Sequence, residues 1–191
     1  MTKHAIHIPR FLALLGTAVL VQSLPLMADE TIKLDPKTAK VTFSIKNKPP
    51  GGSRFEDVPG SFKDFSGSIV FDDTDASKSS VAMEVKTASV DTANTRRDDH
   101  LRNQDFFKVK EFPSMTFKSS AVTKNDDGHY AVAGTFTLLG KSKEMTITFV
   151  PSGDRAGKTE FTIKRSDFGM DYRIPETGDE VAVTIAVGEG E

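Results

Sequence analysis

Charged side chains cluster in the stretch RRDDH at residues 96–100, and such a cluster could bind a metal ion or transfer protons. Asp98 and His100 have the oxygen and nitrogen donors of a metal site, and a histidine beside a carboxylate can also act as an acid–base group. On a helix, however, side chains one or two positions apart point in different directions, which argues against a shared metal ion. No serine elbow or second histidine accompanies His100. The sequence therefore predicts no catalytic residue, no metal site and no cofactor.

A structural role suits the cluster better. Arg97 and Asp98 are expected to pair with Arg165 or Asp167, in the later stretch RSDF, because an arginine and a carboxylate can share two parallel hydrogen bonds. His100 belongs to the same group of candidate residues. We expect these pairs to hold one segment of the chain over the rest of the fold.

A short helix near residues 95–104 is the element that would carry the cluster. Thr95 is followed three residues later by Asp98, which fits a capping box, and the helix dipole favours negative charge in this first turn. Two turns of helix would cover one end of a fold that is otherwise made of strands. Phe106 and Phe107 would be its anchors.

Most of the remaining chain alternates between apolar and polar residues, which is typical of half-buried β-strands. Turn-forming residues separate these segments. Eight strands are predicted, at residues 40–46, 65–71, 80–86, 114–122, 129–139, 144–150, 160–168 and 180–187, with a ninth candidate at 31–35.

Strands of this length and spacing predict an all-β fold, either an antiparallel sandwich or a barrel. The apolar faces carry large side chains, and there is no tryptophan to fill a sandwich, so an eight-stranded barrel is favoured. Such a barrel can fill itself with side chains or hold one small ligand. The alternation alone leaves both outcomes open.

The first 28 residues have the features of a secretory signal peptide. A basic start is followed by an apolar run at residues 11–21, which is short for a membrane span. Cleavage is expected after Ala28, with Ser23 as the competing site. The remaining residues, 29–191, form a single predicted domain, exported to the periplasm or secreted.

The composition limits how this exported domain can fold and what it can bind. The chain has no cysteine, which excludes disulfide bonds and thiolate metal sites. With 25 Lys and Arg against 27 Asp and Glu, it lacks the basic character of nucleic-acid-binding domains. The fold must therefore be stabilised by burial of its core, and no nucleic-acid partner is expected.

Several segments resemble the YceI family. They are SVDTANTRRDDHLRNQDFFKVKEFPSMTF at 89–117, GTFTLLGKSKEMTI at 134–147 and RSDFGM at 165–170. With IKLDPKTAKVTFSI and PGSFKDFSGSIVFD, the similarity covers most of residues 31–187.

The resemblance implies an extended, antiparallel, eight-stranded barrel similar to lipocalins, which binds a polyisoprenoid or another long lipid. It brings no catalytic residues. The chain departs from the family pattern where histidines are common, since it has Thr38 after the DP motif, Asn47 near the end of that strand, and Leu139 in TLLG. A ligand mode that needs those histidines is therefore not expected.

The inward-facing apolar side chains could form an ordinary core or surround a ligand cavity. The resemblance favours the cavity, and a wall rich in Phe and Met suits a long apolar chain. The predicted ligand-binding residues are Phe43, Ile45, Ile69, Met83, Val85, Phe106, Phe107, Phe117, Val132, Phe136, Ile147 and Phe161. In a variant of the structural role, one arginine of the RRDDH cluster faces a lipid pyrophosphate head group.

Taken together, these features predict an exported, non-enzymatic protein that sequesters or transports a long apolar lipid. The alternative function is that of a small hydrolase or isomerase acting on a lipid in the same cavity, and a third is that of an interaction protein with a closed core. No spanning segment is expected, and a homodimer is left open.

Overall fold

Antiparallel pairing organises the chain, which the computed structural model describes at residues 30–153 and 155–188. The predicted signal peptide lies outside these residues. Eleven strands form one curled sheet: β1 (Glu30–Leu34), β2 (Ala39–Asn47), β3 (Glu56–Phe62), β4 (Phe65–Phe71), β5 (Ser80–Lys86), β6 (Val90–Asp91), β7 (Ser114–Lys124), β8 (Tyr130–Leu138), β9 (Lys141–Pro151), β10 (Gly157–Lys164) and β11 (Thr177–Val187). The helices of this described part are α1 (Thr95–Arg102) and three short 3-10 helices at Ala76–Lys78, Thr87–Ser89 and Arg165–Phe168. The all-β prediction is confirmed.

The strand count exceeds the predicted eight because two long arms of the sheet are each interrupted and because the two-residue β6 forms an additional strand. A turn at residues 35–38 separates β1 from β2, and a break at residues 63–64 separates β3 from β4. β1 pairs with β4 and β2 pairs with β3, so the two interrupted arms lie side by side. The first arm also pairs with β11, and the second with β5. If each arm is counted once and the two-residue β6 is left out, eight segments follow one another around the sheet, as in a lipocalin-like barrel.

β3 is a strand that the sequence pattern did not reveal. Its residues include Pro59 and Gly60, which are both depleted in strands and interrupt the alternation. One edge of β3 pairs with β2 along its whole length, while the other pairs with β6 only at Ser61 and Phe62. Pro59 lacks a backbone N–H, and proline is tolerated in strands that have an unpaired edge, as β3 has at this position.

The sheet is incomplete between β9 and β10. These strands pair only at residues 149–151 with residues 157–159, and they separate towards the other end of the molecule. The strand predicted at residues 160–168 ends at Lys164, where the chain turns into the 3-10 helix Arg165–Phe168. The Asp167 carboxylate of this 3-10 helix forms an ion pair with Lys143 of β9 at 2.6 Å, which connects the two sides of the gap between β9 and β10.

The helix is confirmed, but its cap differs from the predicted one. Asn94, not Thr95, is the N-cap residue, and its side chain accepts a hydrogen bond from the backbone N–H of Arg97 at 3.0 Å. Asp98 turns away from the cap and accepts hydrogen bonds from the backbone and hydroxyl of Thr92. The helix therefore begins one residue after an Asn cap, and the capping-box prediction was wrong.

The helix marks one end of the curled sheet, which we call the helix end. It comprises α1 together with the loops at residues 48–55 and 169–176. The backbone N–H of Lys48 donates to the carbonyl of Glu176 at 2.6 Å, which joins the two loops, and the rings of His100 and Tyr172 lie 5.5 Å apart, which joins α1 to the second loop.

The opposite end, which we call the hairpin end, is formed by the turns between β4 and β5 and between β9 and β10. The start of β1 lies there as well, since Glu30 pairs with Arg155 of the β9–β10 turn. Inward-facing side chains occupy the space between the two ends. On β8, for example, buried positions alternate regularly with half-buried ones from Tyr130 to Leu138.

Candidate functional site

A cavity of about 980 Å³ runs between the helix end and the hairpin end inside the curled sheet. Every strand except β6 contributes inward-facing side chains to its wall. The middle of the wall is apolar, and charged side chains are confined to its two ends. Cavities that take up small molecules are typically roughly 300–1,000 Å³ and mainly apolar, so this one is large enough for an extended hydrocarbon.

All twelve predicted ligand-binding residues lie on the wall of this cavity. Met83, Val85, Phe106, Val132, Phe136 and Ile147 are buried, whereas Phe43, Ile45, Ile69, Phe107, Phe117 and Phe161 are half-buried. A half-buried residue that points inward is accessible because it faces empty space and not a neighbouring side chain. The interior is therefore not a filled core, while contact of these residues with a ligand stays a prediction.

Glycines on neighbouring strands help to keep the cavity open. A methyl group at Gly60 would overlap the ring of Phe43, and one at Gly157 would overlap the ring of Phe149. Each ring lies across the strand beside it, in the space that a side chain would otherwise fill. This arrangement places large aromatic groups along the wall and leaves the centre of the cavity free.

Arg97 faces the cavity from α1 and is held by a single residue. Its Nε donates to the Thr92 hydroxyl at 2.7 Å and its Nη2 donates to the Thr92 carbonyl at 2.8 Å. The same hydroxyl donates to the buried Asp98 at 2.5 Å. Thr92 thus positions the side chains of both Arg97 and Asp98.

The predicted pairing of Arg97 and Asp98 with Arg165 or Asp167 is therefore wrong. Arg97 and Asp98 bond locally to Thr92, and Asp167 bonds to Lys143. Where β9 and β10 separate, Asp167 lies beside β9, so its carboxylate pairs with Lys143 of that strand and not with the side chains of α1. Asp98 and Asp167 do not line the cavity, whereas Arg97, His100 and Arg165 do.

Arg165 organises the loop at residues 169–176. Only 1 % of the residue is exposed, and its guanidinium donates hydrogen bonds of 2.8–2.9 Å to the backbone carbonyls of Met170, Tyr172, Thr177 and Gly178. Burial lowers the pKa of Arg165, while the nearby Asp179 and Asp171 oppose this shift. Arginine nevertheless stays charged in proteins, so this side chain is a permanently charged hydrogen-bond donor that holds the loop in place.

His100 lies at the mouth of the cavity, where its environment is mainly aromatic. Its Nε2 lies 2.9 Å from the Asp105 carboxylate, and its ring contacts the edges of Phe106 and Tyr172, with centroids 5.1 and 5.5 Å away. In the sequence, His100 is part of the charged cluster RRDDH. In the structure it also packs into an aromatic wall.

Arg173 is a residue of the cavity wall that the sequence analysis missed. It lies in the loop at residues 169–176 with a φ of 58°, a left-handed conformation that is uncommon for residues other than glycine. Thr177 donates its backbone N–H to the carbonyl of Arg173 at 2.7 Å, which fixes this turn. No periodicity or motif in the sequence marks this position, because a loop residue has no face to predict.

The three residues that stand where the family pattern often has histidine make contacts with nearby parts of the fold. Thr38 donates its hydroxyl to the carbonyl of Lys33 at 2.7 Å within the turn between β1 and β2. Asn47 accepts a hydrogen bond from the Thr177 hydroxyl at 2.9 Å and lines the cavity at the helix end. Leu139 is buried in the turn between β8 and β9.

Within residues 30–153 and 155–188, no three side chains of His, Asp or Glu lie close enough together to hold a metal ion. The same part of the chain contains no helix long and apolar enough to cross a membrane.

Comparison with known proteins agrees with this architecture. The YceI-like domain family matches residues 32–188. A UPF0312 protein of Yersinia pestis is 34% identical over an alignment of 182 residues, and the alignment covers 91% of this chain and 92% of that protein.

Solved structures show the same fold. BcnA of Burkholderia cenocepacia superposes with a TM-score of 0.68 at 27% identity, over 78% of this chain and 94% of BcnA. A polyisoprenoid binding domain from Saccharophagus degradans superposes with a TM-score of 0.60 over 84% of this chain and 97% of that domain, and at 15% identity it shows the shared fold alone. The family match spans nearly all of the described residues and agrees with the curled sheet and the one α-helix found among those residues, so this chain belongs to the YceI-like family.

Proposed function

We propose that this protein binds a long apolar lipid of the polyisoprenoid class inside its cavity and carries it through an aqueous compartment outside the cytoplasm. The observation that carries the proposal is the open apolar cavity of about 980 Å³, with all twelve predicted lining residues around it. Transfer of hydrocarbon from water into such a site gains roughly 0.8 kcal/mol per CH₂ group. A few isoprene units would therefore suffice for stable binding.

Two further observations support the proposal. The Saccharophagus degradans domain, which shares the fold, is a polyisoprenoid binding domain. The features of a signal peptide in the first 28 residues support export of the carrier. Carriage without turnover is proposed because the sequence around His100 has no serine elbow, and because His100, the one histidine among the described residues of the wall, packs between aromatic rings.

Extraction of the native protein tests which lipid is bound. Protein purified from its source organism is extracted with organic solvent, and the extract is analysed by mass spectrometry. We expect an isoprenoid in near-stoichiometric amount. Recovery of no lipid from protein that is folded by circular dichroism would contradict the proposal.

A single-tryptophan variant tests where the lipid binds. The chain has no tryptophan, so each introduced tryptophan is the sole reporter of its kind. In Phe161→Trp the reporter faces the cavity, and we expect its emission to shift to shorter wavelength as geranylgeraniol is added. Glu160→Trp, one residue away on the exposed face of β10, is the matched control and should not respond. Equal responses of the two variants would place the lipid on the surface and not inside.

The same lipid distinguishes carriage from catalysis. Wild-type protein and His100→Ala are incubated with geranylgeraniol and with its acetate ester, and products are followed by chromatography. We expect neither protein to convert either compound. Turnover by the wild type that is lost in His100→Ala, with lipid binding retained, would establish the hydrolase or isomerase alternative.

A further inference from the structure

The large apolar side chains of the outer surface are found at one end of the molecule. Among the residues that the structure describes, the large hydrophobic side chains that are exposed are Phe55, Tyr172 and Ile174, whose exposed fractions are 50%, 38% and 37%. All three lie in the two loops of the helix end. Single exposed apolar residues are common on proteins, but a group of them at one place marks a contact surface.

Contacts between the two loops hold these side chains near one another. The pairing of β2 with β3 ends immediately next to Lys48 and Phe55, so these two residues lie beside each other where the first loop begins and ends. The backbone N–H of Lys48 donates to the carbonyl of Glu176 at 2.6 Å, and Glu176 lies two residues after Ile174. Tyr172 lies two residues before Ile174 in the same loop. The three exposed side chains therefore extend from loops that are joined to each other.

This surface is continuous with the mouth of the cavity. The exposed ring of Tyr172 contacts the ring of Phe106, with centroids 5.4 Å apart, and Phe106 lies on the cavity wall. The ring of His100, which also lines the cavity, contacts Tyr172 as well. An apolar path therefore leads from the outer surface of the helix end into the cavity, and a partner that covers this end also covers the mouth.

Basic side chains without acidic partners lie beside the exposed apolar ones. Arg54 directly precedes Phe55 and is exposed, and Lys48 lies at the other end of the same loop. Neither of the two basic side chains forms an ion pair or a hydrogen bond with the described residues. The loop, KPPGGSRF, contains no acidic residue. Its two cationic groups are therefore available to an anionic group outside the protein.

The helix end and the hairpin end differ in charge. Together, α1 and the two loops of the helix end carry six Lys and Arg residues and four Asp and Glu residues, a balance of +2 in a chain whose net charge is −2. The β4–β5 turn of the hairpin end carries Asp72, Asp73 and Asp75 against Lys78. An anionic surface would therefore attract the helix end and repel the hairpin end, which turns the mouth of the cavity towards that surface.

We propose that the helix end is a docking surface for an anionic lipid membrane. Phe55 and Ile174 insert between the acyl chains, and the ring of Tyr172 lies at the level of the head groups. Lys48 and Arg54 bind lipid phosphates at the membrane surface. A membrane fits this end better than a protein partner does, because protein interfaces are depleted in lysine and bury about 800 Å² on each partner, whereas here three side chains extend from two loops.

Docking goes beyond the proposed function, because it involves the outer surface of the helix end and requires no ligand in the cavity. It would place the mouth of the cavity against the membrane, where a carrier takes up or releases its lipid. The membrane is therefore a second partner, distinct from the molecule that is carried.

Co-sedimentation with vesicles tests the inference. Protein is purified after export, and its mass confirms removal of the apolar run at residues 11–21, which could itself bind membranes. The vesicles contain phosphatidylcholine alone or equal parts of phosphatidylcholine and phosphatidylglycerol. The proteins are wild type, Phe55→Ser, Arg54→Gln and the control Lys118→Gln, which removes the same charge from an exposed position of β7. Thermal midpoints confirm that each variant is folded.

We expect the wild type to bind the anionic vesicles, and to bind the neutral ones about ten-fold more weakly. Arg54→Gln should weaken binding to the anionic vesicles about five-fold, because each basic group near such a surface contributes roughly that factor. Phe55→Ser should weaken it about ten-fold, because the exposed ring no longer leaves water on docking. Lys118→Gln should change it by less than about two-fold, since charges away from the contact are screened by salt.

A tryptophan reporter tests which part of the molecule docks. In Phe55→Trp we expect the emission to shift to shorter wavelength with anionic vesicles, and not with geranylgeraniol in the absence of vesicles. Glu160→Trp, on the exposed face of β10, is the control and should not respond to vesicles.

The outcomes separate docking from lipid carriage. Absence of vesicle binding, equal binding by the wild type and Phe55→Ser, or equal shifts of the two tryptophan reporters would each overturn the docking surface. The response of Phe161→Trp to geranylgeraniol decides the proposed function independently of these results. Self-association that is lost in Phe55→Ser, without vesicle binding, would show that this surface contacts a second copy of the chain and would also overturn the inference.

Discussion

At the scale of single residues, three arginines of the helix end have two different roles. Arg165 is fully buried and uses its guanidinium to bind backbone carbonyls, so it is part of the fold. Arg97 and Arg173 are half-buried and keep donors free towards the cavity. All three residues are arginines, so the residue type does not distinguish these roles. The roles differ because different hydrogen-bond acceptors lie within reach of each side chain.

Arg165→Gln is expected to destabilise the protein strongly. Glutamine is too short to replace the guanidinium, so the carbonyls of Met170, Tyr172, Thr177 and Gly178 would lose their donor. Each buried group left unpaired costs about 1–3 kcal/mol. We expect the free energy of unfolding, measured by urea denaturation, to fall by more than about 3 kcal/mol. The same substitution at the exposed neighbour, Lys164→Gln, should change it by less than about 0.5 kcal/mol, and an equal loss in both variants would contradict this role of Arg165.

At the scale of elements, the helix and the strands were predicted with different success. The eight strands were predicted from their alternation, and the helix near residues 95–104 was predicted from its capping signal and first-turn charge. The observed α1, Thr95–Arg102, lies within the predicted range. β3 was missed because Pro59 and Gly60 interrupt its alternation, and its pairing with β2 was visible only in three dimensions. The helix cap was misplaced by one residue because both Asn94 and Thr95 are good N-cap residues in sequence.

Asn94→Ala and Thr95→Ala distinguish the two caps. The Asn94 side chain accepts the hydrogen bond from the backbone of Arg97, so its removal should cost about 1 kcal/mol of the free energy of unfolding. Thr95→Ala should change this energy by no more than a few tenths of a kcal/mol, because Thr95 is exposed and already inside the helix. Chemical denaturation of both variants checks the difference, and a larger loss for Thr95→Ala would restore the capping-box interpretation.

At the scale of the whole molecule, stability depends on carboxylates that bind neighbouring groups. Burial disfavours the charge of Asp179, but hydrogen bonds from the backbone and hydroxyl of Ser166, at 2.9 and 2.7 Å, outweigh it and lower its pKa together with Arg165. A hydrogen bond from the Thr74 hydroxyl is the main reason that the pKa of Asp72 is lowered as well. Both groups are therefore more acidic in the folded protein than in the unfolded chain.

The sign of the pH dependence follows from these shifts. A carboxyl group with a lowered folded pKa contributes stability above its unfolded pKa, which is about 3.9 for Asp, and that contribution is lost as the pH falls through the folded pKa. We expect the thermal midpoint to be nearly constant between about pH 7 and pH 5 and to decrease below about pH 4. Asp179→Asn should lower the midpoint at pH 7 and make the acid decrease shallower. Asp126→Asn, in the exposed β7–β8 turn, is the control, and an acid decrease of equal steepness in both variants would contradict the role of Asp179.

The sequence by itself determined which side chains face inward. Because successive residues of a strand point to opposite sides, alternation predicted ten of the twelve proposed wall residues before the strands were paired, and Phe43, Ile69 and Phe161 are typical of them. The other two, Phe106 and Phe107, were predicted as anchors of the helical segment. The resemblance to the YceI family then supported the barrel that the apolar faces already favoured. These properties depend on local alternation or on sequence motifs, so the order of the residues was sufficient to predict them.

Tertiary structure alone decided whether the inward side chains fill the interior. That outcome depends on the curvature of the sheet and on rings such as Phe43 lying across Gly60 of the next strand, and these are relations between segments distant in sequence. It also decided which arginine is free, since the Arg165 guanidinium binds four carbonyls from the following loop and the start of β11, whereas the Arg173 side chain forms no hydrogen bond or ion pair with the described residues. Burial and pairing depend on what the fold brings within about 3 Å of each group, and no periodicity in the sequence contains that information.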